Sequence, residues 1–225
     1  IWNINKGENI IETIEHFHLG DIASILGLVV TIIGFIITIF NVIKSKNIAF
    51  DAAKLISEGN IVGWYQGKME WGPRALGNRS ILADPRKNEM KDILNRKIKH
   101  RESFRPFAPS ILEEYVSEYF ELDISSPYML LVAPVKKPEK IPAVTHVDGT
   151  GRLQTVSKQS NPLYYDLINE FYKITNIPVI INTSMNVMGE PIVNTPEQAY
   201  NMIKKTDMDY IVMGNHLVSK SSNGL

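Results

Sequence analysis

The chain has 225 residues, 24 basic against 24 acidic side chains, and no cysteine. A formal charge of zero supplies no global field to recruit nucleic acid or an acidic partner. The lack of cysteine excludes disulfides, thiolate metal sites and a cysteine nucleophile.

In chain order, the first distinctive element is the run IASILGLVVTIIGFIITIFNVI, residues 22–43, which holds no charged residue. As a helix it rises about 33 Å, enough for a hydrocarbon core of roughly 30 Å, so it is read as a transmembrane helix. Lys44 and Lys46 follow it, whereas Glu8, Glu12, Glu15 and Asp21 precede it. That asymmetry predicts a membrane-anchored protein whose C-terminal domain is cytoplasmic. A central helix of a larger core is the competing reading. His16 and His18 do not share a helix face and are read as part of a solvated juxtamembrane segment.

Residues 1–47 are thus one region, and residues 48–225 have the composition of an ordinary soluble domain. The pattern predicts a helix over 48–58 closed by Gly59, then a short strand in IVGWYQG. Helices are expected over 89–99 and 113–119. YMLLVAPV reads as a buried strand ending at Pro134, and RLQTVS alternates as a strand does. Asn161 caps a helix over 162–175 with Pro162 at its first position. IPVIINTS is an apolar strand running into a polar turn, Thr195 caps a helix over 196–206, and YIVMG is a last strand. Interleaved strands and helices predict an α/β fold with a mixed sheet.

The chemistry concentrates between residues 74 and 105, where ten basic residues face four acids. Lys87, Lys91 and Lys97 fit a solvated helix face. Arg74, Arg79, Arg101 and Arg105 instead lie beside glycine, proline and aromatic residues, in loops. Arginine binds phosphate or carboxylate oxygens with a planar fork. Gly72 and Gly77 would let the backbone approach a ligand. Converging cations suggest a polyanion such as a nucleoside triphosphate. No P-loop, Rossmann or kinase signature is present.

Five blocks carry a family resemblance. They are GWYQGKMEWGPRALGNRSILADPR, NRKIKHRESFRPFAPSIL, SPYMLLVAPV, AVTHVDGTGRLQTVS and IPVIINTSMNVMGEPIVNTPEQA. In this order they closely resemble the C-terminal domain of the O-carbamoyltransferases, which include nodulation-protein and antibiotic-tailoring enzymes. The resemblance runs from about Ala52 to Val218. It implies a YrdC-like mixed, twisted sheet with flanking helices. It also implies that carbamoyl phosphate and ATP, with magnesium on the nucleotide, give carbamoyl-adenylate and pyrophosphate. A separate metal-binding domain of the sugar-kinase and actin superfamily would then pass the carbamoyl group to a hydroxyl.

By the same resemblance, Lys99, Arg105 and Arg152 are the expected catalytic cations. Arg74, Ser184, Asn182, Asn186, Arg79 and His146 are the expected substrate and nucleotide ligands. For Arg79 the residues alone leave open a pairing with Asp84 or Glu70. For His146 they leave open a structural role, and for Asn182 and Asn186 a turn-shaping one. Trp64, Tyr65 and Trp71 are candidates to stack on adenine, or core residues. No dedicated metal site is read. The chain departs from the family in lacking the metal-binding half, so a partner domain or chain is expected. The alternative is a membrane-tethered, non-catalytic module binding nucleotide or carbamoyl phosphate. RNA binding is disfavoured because the aromatics are not interleaved with the cations.

Overall fold

The computed structural model describes residues 40–220, and Asn41–Lys220 form one compact unit. Strand β1 (Phe40–Lys44) leads into helix α1 (Ile48–Ser57), β2 (Val62–Tyr65) and β3 (Arg79–Ala83). Helix α2 (Met90–Leu94) runs on into a π-turn, Asn95–Lys99, before β4 (Ala108–Leu112) and α3 (Val116–Tyr119). Next come β5 (Val132–Pro134), β6 (Thr150–Arg152), β7 (Gln154–Val156), α4 (Pro162–Thr175) and β8 (Val179–Ser184). Helix α5 (Pro196–Lys205) and the hairpin of β9 (Tyr210–Met213) and β10 (His216–Lys220) follow.

Eight strands make one sheet in the order β1-β10-β9-β2-β3-β8-β4-β7, and β5 and β6 make a separate antiparallel ribbon. The sheet is mixed: β2 is parallel to β9 and β4 to β7, while β3 and β8 are antiparallel to their neighbours. Strands β3 and β4 are buried at every residue, as strands covered on both faces are. Helices α1 and α4 pack on each other through apolar faces that include Ala52, Ile56, Leu167 and Phe171. Beneath them Asp84, fully buried at the end of β3, takes a bidentate fork from Arg86, whose Nη2 also donates to Ser57 O at 2.9 Å. Helix starts follow the local chemistry. Asn161 Oδ1 accepts from Tyr164 N at 3.2 Å, and Thr195 and Gln198 form a capping box.

Three expectations change. The helix expected over 22–43 lies outside the described residues as far as residue 39, and its last four residues belong to β1, at the sheet edge beside β10. Among the described residues no helix is long and apolar enough to cross a membrane, so the membrane anchoring has no structural support there. A short apolar, β-branched sequence fits a helix end and an edge strand alike, and hydropathy does not separate them. YMLLVAPV is strand only over Val132–Pro134, and Tyr128, Leu130 and Val132 are exposed rather than buried, because β5 pairs only with β6 outside the main sheet. The helix over 89–99 is divided into α2 and the π-turn, which ends at His100 in a left-handed conformation with φ 49°.

Gly77 also differs from its expected role. Its φ is +112°, and a Cβ there would stand 2.3 Å from the ring of Tyr164, which is fully buried. The close approach serves this ring and not a ligand. Gly77→Ala should therefore destabilise the domain by about 2–4 kcal/mol, combining left-handed strain with overpacking. Urea unfolding of the variant against the parent chain measures this.

Candidate functional site

The segment that leaves the π-turn and the β5–β6 ribbon face each other across a cleft of about 310 Å³. Arg101, Arg105 and Phe107 line it from the first side. Val132 and Arg152, paired in register across the ribbon, line it from the second, with His146 from the turn that precedes β6. Arg101 Nε donates to Asn95 Oδ1 at 2.7 Å, and its guanidinium lies 4.9 Å from the Phe107 ring centroid. Arg105 Nε meets Glu102 at 3.0 Å on the exposed rim. His146 opens a tight turn whose Gly149 has φ +80°.

Two of these arginines, Arg101 and Arg152, are undercompensated. Burial, then the charge of Arg105, lowers the pKa of Arg101, and Glu102 only partly opposes this. Burial, then Arg74, does the same to Arg152. Burial also pushes His146 below the ordinary histidine value, with Arg152 and Lys91 adding to the effect and Asp148 opposing it. A bound anion would reverse each of these shifts.

Lys99 closes the π-turn beneath the cleft and is almost wholly buried. Its Nζ donates to the Ser184 carbonyl, to the Asn186 carbonyl at 3.0 Å and to Asn186 Oδ1 at 2.9 Å. Ser184 Oγ completes the turn by donating to Asn186 Oδ1 at 2.7 Å. The helix before the cleft is thereby fastened to the end of β8. Burial, then the charge of Arg101, lowers the Lys99 pKa to about 7, while the oxygens around Nζ work the other way.

The loop between β2 and β3 contributes no lining residue to the cleft, but its tip carries Arg74, which acts on Arg152. Its stem is clamped from several sides. Glu70 Oε1 accepts from the backbone of Leu76 at 2.8 Å, Asn78 at 2.6 Å and Arg79 at 3.3 Å. Arg79 is buried against the Tyr65 ring at 3.6 Å and donates to the carbonyls of Gln66, Gly67 and Asn78. Its fork is thus spent on backbone, and it does not line the cleft. Asn182 is buried too. Its Nδ2 donates to Ala75 O at 3.2 Å and to Gln154 Oε1 at 2.9 Å, while Gln154 Nε2 donates to Leu76 O at 2.9 Å. Arg74, at the exposed tip, is close enough to Arg152 to act on it electrostatically.

Of the nine residues expected, Arg105, Arg152 and His146 meet in the cleft, and Arg74 stands beside it. Lys99, Ser184 and Asn186 form one turn below, while Arg79 and Asn182 hold the loop. Arg101, Glu70 and Gln154 were not assigned from the sequence. Arg101 shared the loop context that singled out Arg105, but nothing local marked Gln154, whose partners lie on β4, β8 and the loop. The Lys99 shift carries a sign. Between about 7 and 10.5 the folded lysine sheds a proton that the unfolded chain keeps, so stability rises with pH across that window. Lys99→Met should flatten that rise, which urea midpoints measured from pH 7 to pH 10 would reveal.

The carbamoyltransferase C-terminus family matches residues 53–220. Nodulation protein NolO of Bradyrhizobium diazoefficiens is 50% identical over 185 residues, covering 80% of this chain and 34% of that protein. The 3'-hydroxymethylcephem-O-carbamoyltransferase of Amycolatopsis lactamdurans is 42% identical over 139 residues, covering 62% and 26%. The chain therefore spans about a quarter to a third of the length of these curated relatives. Among solved structures, full-length HypF in its phosphate- and nucleotide-bound form is alike in fold, with a TM-score of 0.52 at 21% identity, over 77% of this chain and 22% of that one. With a mixed α/β sheet common to HypF and a family match across most of its length, the chain belongs to the carbamoyltransferase C-terminus family.

Proposed function

We propose that this domain makes carbamoyl-adenylate from carbamoyl phosphate and ATP, as the activating half of an O-carbamoyltransferase. The observation that carries the reading is the convergence of three arginines on one cleft, of which Arg101 and Arg152 are undercompensated and Arg105 is paired with Glu102 on the exposed rim. Bond accounting sets the order of events. Attack at the α-phosphorus of ATP with loss of pyrophosphate needs a carbamate oxygen, so carbamoyl phosphate must first lose its phosphate to water. Negative charge then builds on the α-phosphoryl oxygens and on the leaving pyrophosphate. Cations already fixed in place stabilise that charge without reorganising.

In this reading Arg105 and Arg152 grip phosphate oxygens from opposite walls and Arg74 closes from the loop. Ser184 and Asn186, whose side chains are engaged with each other, Lys99 and Glu190, shape the turn at the strand end, where α/β sheets place their ligands. Lys99 fixes that turn and adds a compact charge below it. His146, held neutral by its surroundings, is suited to orient the carbamoyl end by hydrogen bonding. Among the described residues no group of three or more acidic or histidine side chains forms a metal cage, so magnesium enters on the nucleotide, held by phosphates and water. The remainder of the longer relatives is the natural source of a metal-binding transferase domain, which would deliver the group to a hydroxyl.

Incubation of the chain with ATP, magnesium and carbamoyl phosphate should release one pyrophosphate and one orthophosphate per adenylate formed. Arg105→Ala and Arg152→Ala should each slow pyrophosphate release by about 10²-fold or more, the scale of losing one fixed charge-stabilising donor. Tight ATP uptake with no pyrophosphate would sink the catalytic reading and leave a nucleotide-binding module.

A further inference from the structure

The loop between β2 and β3 is rigid everywhere but at its tip. Glu70, Arg79, Gln154 and Asn182 hold the backbone on both sides. Residues 71–74, Trp-Gly-Pro-Arg, are all exposed, and no hydrogen bond among the described residues restrains them. Gly72 sits at φ +107° with open space around it. Trp71 is 101% exposed, the full accessible surface of the largest apolar side chain, whereas Trp64, seven residues earlier, is completely buried. A free indole on a clamped stem has no packing role in this unit. Its position is not arbitrary, because Arg74 at the other end of the tip already acts on Arg152 in the cleft. Three peptide steps separate the two residues, a span of at most about 11 Å.

We infer that Trp71 reads the base of the nucleotide: with Arg74 on a phosphate, the tip lays the indole face on the adenine and caps the cleft. This inference rests on the nucleotide reading above and adds the residue that recognises the base. A flat aromatic ring suits any base face, and tryptophan offers the largest such surface. The Gly72 backbone, free of neighbours, lets the indole swing without disturbing the clamped stem. Phe104, 75% exposed beside Arg105, is the rival platform, but its turn is tied back by Asn95 Nδ2 on the Ser103 and Arg105 carbonyls and is not a free tip.

The test uses two probes on the full chain, ATP and pyrophosphate, titrated calorimetrically with magnesium. Pyrophosphate carries the charge and lacks the base. Trp71→Ala should weaken ATP binding roughly 5- to 150-fold, the range for loss of one stacked base, and leave pyrophosphate affinity within about twofold. Trp71→Phe should recover most of the loss. Because the side chain is fully exposed, neither substitution threatens the fold. Unchanged ATP affinity in Trp71→Ala, with both probes still lost in Arg152→Ala, overturns the stacking role while the nucleotide reading stands. A loss in Phe104→Ala in place of Trp71→Ala overturns it in favour of the rival. Binding of neither probe by the parent chain overturns both proposals.

Discussion

A single buried lysine ties two parts of this domain together. Lys99 Nζ reaches across from the π-turn to the oxygens of Ser184 and Asn186, and so joins the α2 segment to the end of β8. Burial of the amine disfavours its charged form, as its pKa of about 7 shows, and the acceptors at the strand end offset only part of that cost. The consequence runs along the chain. His100 turns the backbone sharply in a left-handed conformation, and Arg101 and Arg105 are delivered to the cleft. The same contact shapes the turn of Ser184 and Asn186 at the end of β8.

The cleft depends on a second economy, the spending of some polar groups so that others stay free. Arg79, Asn182, Gln154 and Glu70 are consumed in holding the loop between β2 and β3. Arg74, Arg101 and Arg152 keep like-charged neighbours and few acids. In a chain with no net charge, that local excess is held in place by the fold, with Arg101 braced by Asn95 and Phe107, and an anion is what would relieve it. A hydrogen-bonded scaffold that carries unrelieved positive charge favours a bound anion.

Much of this was legible in the chain itself. The α/β alternation, the capped helices at Asn161 and Thr195, and the cation-rich stretch from 74 to 105 follow local rules of capping, periodicity and composition. The motif blocks matched the family, and Arg105, Arg152 and His146 do share a cleft. Other features were out of reach. Strands β3 and β4 went unread because burial on both faces erases alternation, and β1, at the sheet edge, because its short apolar sequence continues a helix-like run. Arginine 79 looked as free as Arg105, and only the position of Tyr65 and three carbonyls distinguishes them.

By itself, then, the sequence determined which residue types were available, where helices begin, and where basic side chains concentrate along the chain. The tertiary structure decided which of those residues are spent and which are open. It placed Trp64 in the core and Trp71 in solvent, and took the last residues of an apolar run into a sheet edge. The physical reason is that exposure and hydrogen-bond satisfaction are set by partners distant in sequence. Gln154 meets Leu76 and Lys99 meets Asn186 only once the sheet is assembled.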